Sequence, residues 1–315
     1  MTCVYLNEQL CLKGSGDACC NCKDKLEVND PKFNEKWIDP LVILNRRREP
    51  CNESIRDLLA GGSAFLMGGG PSANDLPLEQ LSRRGLWTMC VNNSAGHPRI
   101  RPQAFVCSDP PKKFSHSIWL DPAIMKFVPT AKLSGRRSRL RRKMPDGTFA
   151  DLTKASNTCP NVWAFQRWSW LWPDDRFFST DGACWGNHGA GTEKTGQPKT
   201  VCTMLLALRL LRFLGARRVY LIGVDFKMAP DYGYSFGQAR DAGASASNNA
   251  QFSVVNKWLV EMQQGGVFER FGMEVYNCFE FSGLRAFPYV PFEQAVEEAK
   301  GIVEDKPDLS GWYEK

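Results

Sequence analysis

Four short polar stretches, each closing an apolar run, carry residue types that can do chemistry. Gly68, Gly69, Gly70, Pro71 and Ser72 follow residues 64–67; Asn92 and Asn93 follow 87–91; Ser108 and Asp109 follow 104–107; Asp225 follows 219–224. Glycines permit positive φ and a close approach of main chain to a ligand, and a serine caps a following helix whose free N–H groups favour a phosphate. Asp109, Asp225 and His188 are the groups able to take a proton from an acceptor hydroxyl. Each also has a plain structural role open to it: Asp109 capping the Pro110-Pro111 turn, Asp225 bonding backbone, His188 packing in a loop. Tyr232 and Tyr234, two apart, offer rings to clamp a base or a donor phosphate, or are surface aromatics.

What must position these groups is an alternation of strands and helices. Residues 64–67, 87–91, 104–107, 125–128, 219–224 and 274–277 read as strands. Helices are expected at 76–81, 199–214 and about 250–264; in the second, Val201, Leu205, Leu208 and Leu211 recur at helical spacing and Gly215 stands where a terminating glycine belongs. That order predicts an α/β, Rossmann-like, mostly parallel sheet with helices on both faces, in which ligands sit outside the carboxyl ends of the strands. Four polar strand ends in succession fit this rule. The glycine stretch matches neither the phosphate-loop pattern with its Lys-Ser/Thr nor the full dinucleotide fingerprint, which sets aside those two nucleotide-binding classes.

Residues 56–315 form the expected α/β domain, and two segments stand outside the pattern. Residues 1–55 are polar and hold six of the twelve cysteines, and are expected to form an N-terminal appendage. Cys19 and Cys22 make one C-x-x-C knuckle. Cys3 and Cys11, or Cys51, are candidates to complete a structural zinc site; free thiols are the second reading, and disulfides the last for want of a signal segment. Residues 132–190 are expected to be an inserted basic and Trp-rich segment. Lys132, Arg136, Arg137, Arg139, Arg141, Arg142 and Lys143 occur with no acid among them and outweigh the whole net charge of +6, while residues 161–188 hold five of the ten tryptophans. Cations beside aromatic rings suit a polyanion such as DNA, by counterion release and base stacking, and equally a solvated loop with tryptophans packed on the sheet. Residues 227–249 are expected to be a long loop. With 43% hydrophobic residues the chain is not disordered. No apolar run reaches the roughly 18 residues of a membrane helix, and no signal segment is visible, so the expected location is the cytoplasm.

The chain resembles a superfamily with two branches. The resemblance rests on 65–72 (FLMGGGPS), 90–93 (CVNN), a helix from Thr200 to Ala207, and 215–226 (GARRVYLIGVDF). One branch is the bacterial lipooligosaccharide sialyltransferases; the other is the hydroxymethylpterin diphosphokinase-like group of phage and prokaryotic proteins, which the segment 283–295 resembles more closely. For a phage-encoded chain the location becomes the host cytoplasm. The resemblance implies a nucleotide held by Gly68 to Ser72, Asn92, Asn93, Ser108 and Thr200, with Asp225 near the pocket. The chain departs from the sialyltransferases at Gly69, where they carry Asn, and in having no histidine after Asp225.

Three functions follow as expectations. The first is a glycosyltransferase using a nucleotide sugar, its acceptor a hydroxylated base in nucleic acid. The second is a diphosphokinase of a pterin-like alcohol using ATP, with Mg²⁺ held by Asp109 and Asp225. The third is a non-catalytic nucleic-acid-binding protein.

Overall fold

The computed structural model of the chain describes residues 43–44, 55–83, 85–129, 132–133, 138–144, 148–165, 167–168, 174–179, 183–184, 202–228, 233–235 and 242–299. Its main sheet contains β1 (Ile43–Leu44), β2 (Ser63–Met67), β3 (Thr88–Val91), β4 (Ala104–Val106), β5 (Met125–Pro129), β8 (Val162–Phe165), β11 (Arg218–Ile222) and β12 (Glu274–Asn277). They lie in the order β1-β8-β5-β4-β3-β2-β11-β12, and every neighbouring pair is parallel except β1 with β8. The expected Rossmann-like α/β sheet is therefore present. β1 belongs to the segment expected as an appendage and β8 to the expected insertion, yet both are strands of this sheet.

Burial alternates along the strands because successive side chains point to opposite faces. Ala64, Leu66, Met89, Ala104, Val106, Phe127, Val219 and Leu221 face one core, while Phe65, Met67, Cys90, Phe105, Val128, Tyr220 and Ile222 face the other. The first face is covered by α2 (Arg176–Ser179), α3 (Thr203–Phe213), α4 (Ala242–Gln264) and α5 (Val267–Arg270). The second is covered by α1 (His116–Leu120), α6 (Phe292–Glu298) and the 3-10 turn Leu78–Ser82. Helix α3 is buried nearly all round, Arg209 included, whose guanidinium lies 5.5 Å from the centre of the Phe177 ring. It ends as expected at Gly215, at φ +86, with the Ala216 N–H bonded to Leu211 O.

Three expected elements differ. In place of the helix expected at 76–81 there is one 3-10 turn, Leu78–Ser82, preceded by another at Pro71–Asp75, because Pro77 forces Leu76 into an extended conformation. The loop expected at 227–249 ends early: α4 starts at Ala242, and the Asn249 amide bonds both the N–H and the carbonyl of Met228, at 2.8 Å each, fixing the helix to the strand end. The aperiodic stretch from 132 contains an antiparallel hairpin, β6 (Arg139–Lys143) with β7 (Phe149–Ala155). Its period is hidden because Leu140 alone among the described side chains of β6 reaches the core. β9 (Arg167–Trp168) and β10 (Ala183–Cys184) make a separate small parallel pair. Among the described residues no helix is long and apolar enough to cross a membrane.

Candidate functional site

From β2 the chain steps to β3, β4, β5 and β8 in one direction, then returns to β11 on the other side of β2. The strand order therefore reverses between β2 and β11, which is where a parallel α/β sheet opens a crevice for ligands. The two loops at this switch point are Gly68 to Ser72 and Gly223 to Phe226.

These loops are bonded to each other. The Gly68 N–H donates to Ile222 O and the Gly70 N–H to Gly223 O, each at 2.7 Å. The Ser72 N–H donates to Asp225 Oδ2 at 3.1 Å, and the Ser72 hydroxyl donates to Asp225 Oδ1. A Cβ on Gly68 would lie 2.5 Å from Gly223 O, and one on Gly70 would collide with the Asp225 carboxylate. The glycines are thus needed to let two strand ends close on each other, and most of the loop's amides are consumed there. Pro71 has no N–H. Among the described residues, the Gly69 N–H is the one amide of residues 68–72 left without a protein partner, while Gly69 O accepts the Ser235 N–H at 3.1 Å.

Asp225, only 6% exposed, is the fixed centre of this seam. Burial raises its carboxyl above the ordinary value, the two bonds from Ser72 pull it back, and the charge of Asp75 pushes it up again. Both its oxygens are engaged by Ser72, so it holds the glycine loop in place.

A second cluster gathers at the ends of β3 and β4. Asn92 sits at φ +54, a left-handed conformation that asparagine tolerates. Its amide Nδ2 lies 3.3 Å from Thr203 Oγ1, and Ser108 Oγ lies 3.0 Å from the same oxygen. Thr203 is the first residue of α3, so the start of that helix is aimed at this edge, with no side-chain cap from Cys202. Asn92 Oδ1 is buried without a partner among the described residues. Exchanging the amide's O and N leaves one atom unpaired in either orientation. Asn93 is partly exposed beside it.

The remaining expected residues are distributed as follows. Asp109, half exposed, pairs with Lys113 Nζ at 3.0 Å just beyond β4. Tyr234 is partly buried next to Ser235. β6 packs on the turn Pro111–Lys113, which brings the basic hairpin to the edge where Asp109 stands. Arg139 and Arg142 are exposed, Arg141 pairs with Asp151 at 2.8 Å, and Lys143 closes β6. His188, Thr200, Tyr232, Arg136, Arg137 and the proposed zinc ligands Cys3, Cys11, Cys19 and Cys22 lie outside the described residues. Among the described residues no group of three or more His, Cys, Asp or Glu side chains is placed to hold a metal ion.

No protein-family model matches the chain. No curated protein matches it either. Among solved structures it is similar to the sialyltransferase CstII from Campylobacter jejuni, solved in complex with a substrate analogue, cytidine-5′-monophosphate. The identity is 11%, the match covers 78% of this chain and 90% of that one, and the TM-score is 0.37, a likeness too distant to bear on site or activity.

The crevice therefore has to be read from its own chemistry. It presents neutral donors and acceptors, namely the Gly69 N–H, the hydroxyls of Ser108 and Thr203 and the amide of Asn92, with the half-exposed carboxylate of Asp109 at its rim. Such a set suits phosphate oxygens and sugar hydroxyls. Two of its residues escaped the sequence reading. Thr203 is three positions beyond the threonine singled out there, and only the true start of α3 distinguishes the two. Ser235 has no local signal at all, since what marks it is its bond to Gly69, a residue far away in the chain.

Proposed function

We propose that the chain is a nucleotide-dependent transferase, specifically a glycosyltransferase, holding a nucleotide sugar in the crevice outside β2, β3, β4 and β11. The observation that carries this reading is the switch point between β2 and β11, where a closed glycine seam adjoins the Asn92, Ser108 and Thr203 cluster. In the reaction an acceptor hydroxyl oxygen attacks the anomeric carbon, the bond from that carbon to the donor's phosphate oxygen breaks, and the nucleotide leaves with the electron pair. Asp109 is the candidate acceptor of the hydroxyl proton, being a carboxylate at the rim whose partner Lys113 is itself exposed. Asp225 serves by fixing the glycine loop. The acceptor in this reading is a hydroxylated base in nucleic acid, and the support for it is the exposed Arg139 and Arg142 on a hairpin packed against the turn Pro111–Lys113, which follows Asp109 in the chain.

The test is calorimetric titration with nucleotides and nucleotide sugars, with and without Mg²⁺, on the wild type and Thr203→Val. Binding of a nucleotide sugar, weakened roughly tenfold by loss of the Thr203 hydroxyl, is expected. A folded wild type that binds no nucleotide sugar sinks the reading, and binding confined to ATP with Mg²⁺ replaces it with phosphoryl transfer.

A further inference from the structure

One buried polar group is left over from the seam and is used by nothing described so far. Ser235 is 7% exposed, and its hydroxyl has no hydrogen-bond partner among the described residues. A buried hydroxyl without a partner costs stability that alanine at the same position would not, so its presence there needs a reason. Its backbone supplies the location. The Ser235 N–H donates to Gly69 O at 3.1 Å, which seats it against the one residue of 68–72, Pro71 aside, whose N–H has no protein partner among the described residues. Two donors without a protein partner among the described residues, the main-chain N–H of partly exposed Gly69 and the buried Ser235 hydroxyl, therefore stand on residues bonded to each other at the switch-point crevice. A third unsatisfied atom, Asn92 Oδ1, belongs to the next strand end along, where the Ser94 hydroxyl lies 2.9 Å from Met67 O and joins the end of β3 to that of β2.

We propose that the Ser235 hydroxyl and the Gly69 N–H form a donor pair that binds an anionic oxygen of the ligand, the phosphate of a nucleotide. This deepens the transferase reading and rests on it. Both donors are neutral, and two of them converging on one charged oxygen give a charge-assisted contact without a metal ion or a basic side chain. The glycine at position 69 has its use here, since a bare main chain allows a phosphate to approach its N–H.

The experiment is Ser235→Ala on the full chain, with two readouts: the melting temperature of the free protein, and calorimetric affinity for CMP, UDP, GDP and ADP beside the phosphate-free cytidine and uridine. For the nucleotide that binds wild type, the variant is expected to bind about 10- to 100-fold more weakly, as for a hydrogen bond to a charged group. Its nucleoside is expected to bind both proteins alike, and the free variant is expected to melt at the same temperature as wild type or higher. Equal nucleotide affinity in the two proteins overturns the donor pair and leaves the transferase reading standing. A free variant that melts several degrees lower also overturns it, because the hydroxyl would then have a partner within the protein. If wild type binds none of the four nucleotides, both the transferase reading and the donor pair fail.

Discussion

Replacing Asp225 tests whether the glycine seam is held as described. Its carboxylate accepts both the N–H and the hydroxyl of Ser72. Asp225→Ala leaves these two donors facing a space that solvent barely reaches, since Asp225 is 6% exposed and Ser72 8% exposed. Each orphaned buried donor costs about 1–3 kcal/mol, with the rotatable hydroxyl at the low end, so the total is about 2–4 kcal/mol. For a chain of 315 residues that is a fall in Tm of roughly 3–6 °C. Asp225→Asn is expected to behave differently. Its amide oxygen takes the Ser72 N–H and its NH₂ donates to Ser72 Oγ, so stability stays within about 1 kcal/mol of wild type. The pH dependence separates the two further. Burial lifts the Asp225 carboxyl above its ordinary 3.8, so the folded chain keeps this proton to higher pH than the unfolded chain. The associated stabilisation is complete below 3.8 and is lost as pH rises through the lifted value. Urea unfolding at a series of pH values should therefore show wild type losing stability relative to Asp225→Asn across and just above the carboxylate range, then running parallel to it. An asparagine variant as damaged as the alanine variant would refute the bonding scheme, and a difference that grows with acidification in favour of Asp225→Asn would refute the sign.

Two further outcomes are expected. Lys126 is fully buried, donates to Asp121 O, Ile124 O and Pro160 O, and burial pushes its amine from 10.5 down to about 8. The unfolded chain then binds the extra proton between these values, so wild type should gain about 3 kcal/mol of stability relative to Lys126→Met from pH 8 to 10.5, and a flat difference in urea unfolding would show that the ammonium is not destabilised in the fold. If the hairpin is a polyanion surface, Arg139→Ala with Arg142→Ala should lower the slope of log affinity for duplex DNA against log salt by about 1.8 in fluorescence anisotropy, and an unchanged slope removes the nucleic-acid acceptor.

The carboxyl-end loops were legible because their composition is constrained locally. Gly68, Gly70 and Gly223 stand where any Cβ would strike another main chain or a carboxylate, and Asn92 where φ is positive. The strands were legible through their apolar runs, β11 above all, since a strand covered on both faces needs little but hydrophobic residues. The β6–β7 hairpin was not, because a strand with Arg139 and Arg142 exposed, Arg141 partly so, and Leu140 the one described side chain in the core has no readable period. The start of α4 was not either, since residues 242–249 are small and polar, and their helix is anchored by the bond of Asn249 to Met228 across 21 positions.

By itself, then, the sequence determined the α/β class, the polar strand ends and the glycines, because strand burial and tight backbone approach restrict residue type one position at a time. Only the tertiary structure decided what those residues do. Strand order put β2 beside β11, and that adjacency turned the glycine stretch from an open phosphate cradle into a seam closed on Asp225. The same packing made Thr203 the meeting point of Asn92 and Ser108, and left Ser235 and Gly69 with donors to spare. Partners so far apart along the chain leave no mark on local spacing, so hydrogen-bond satisfaction can be counted only once the fold has brought them together.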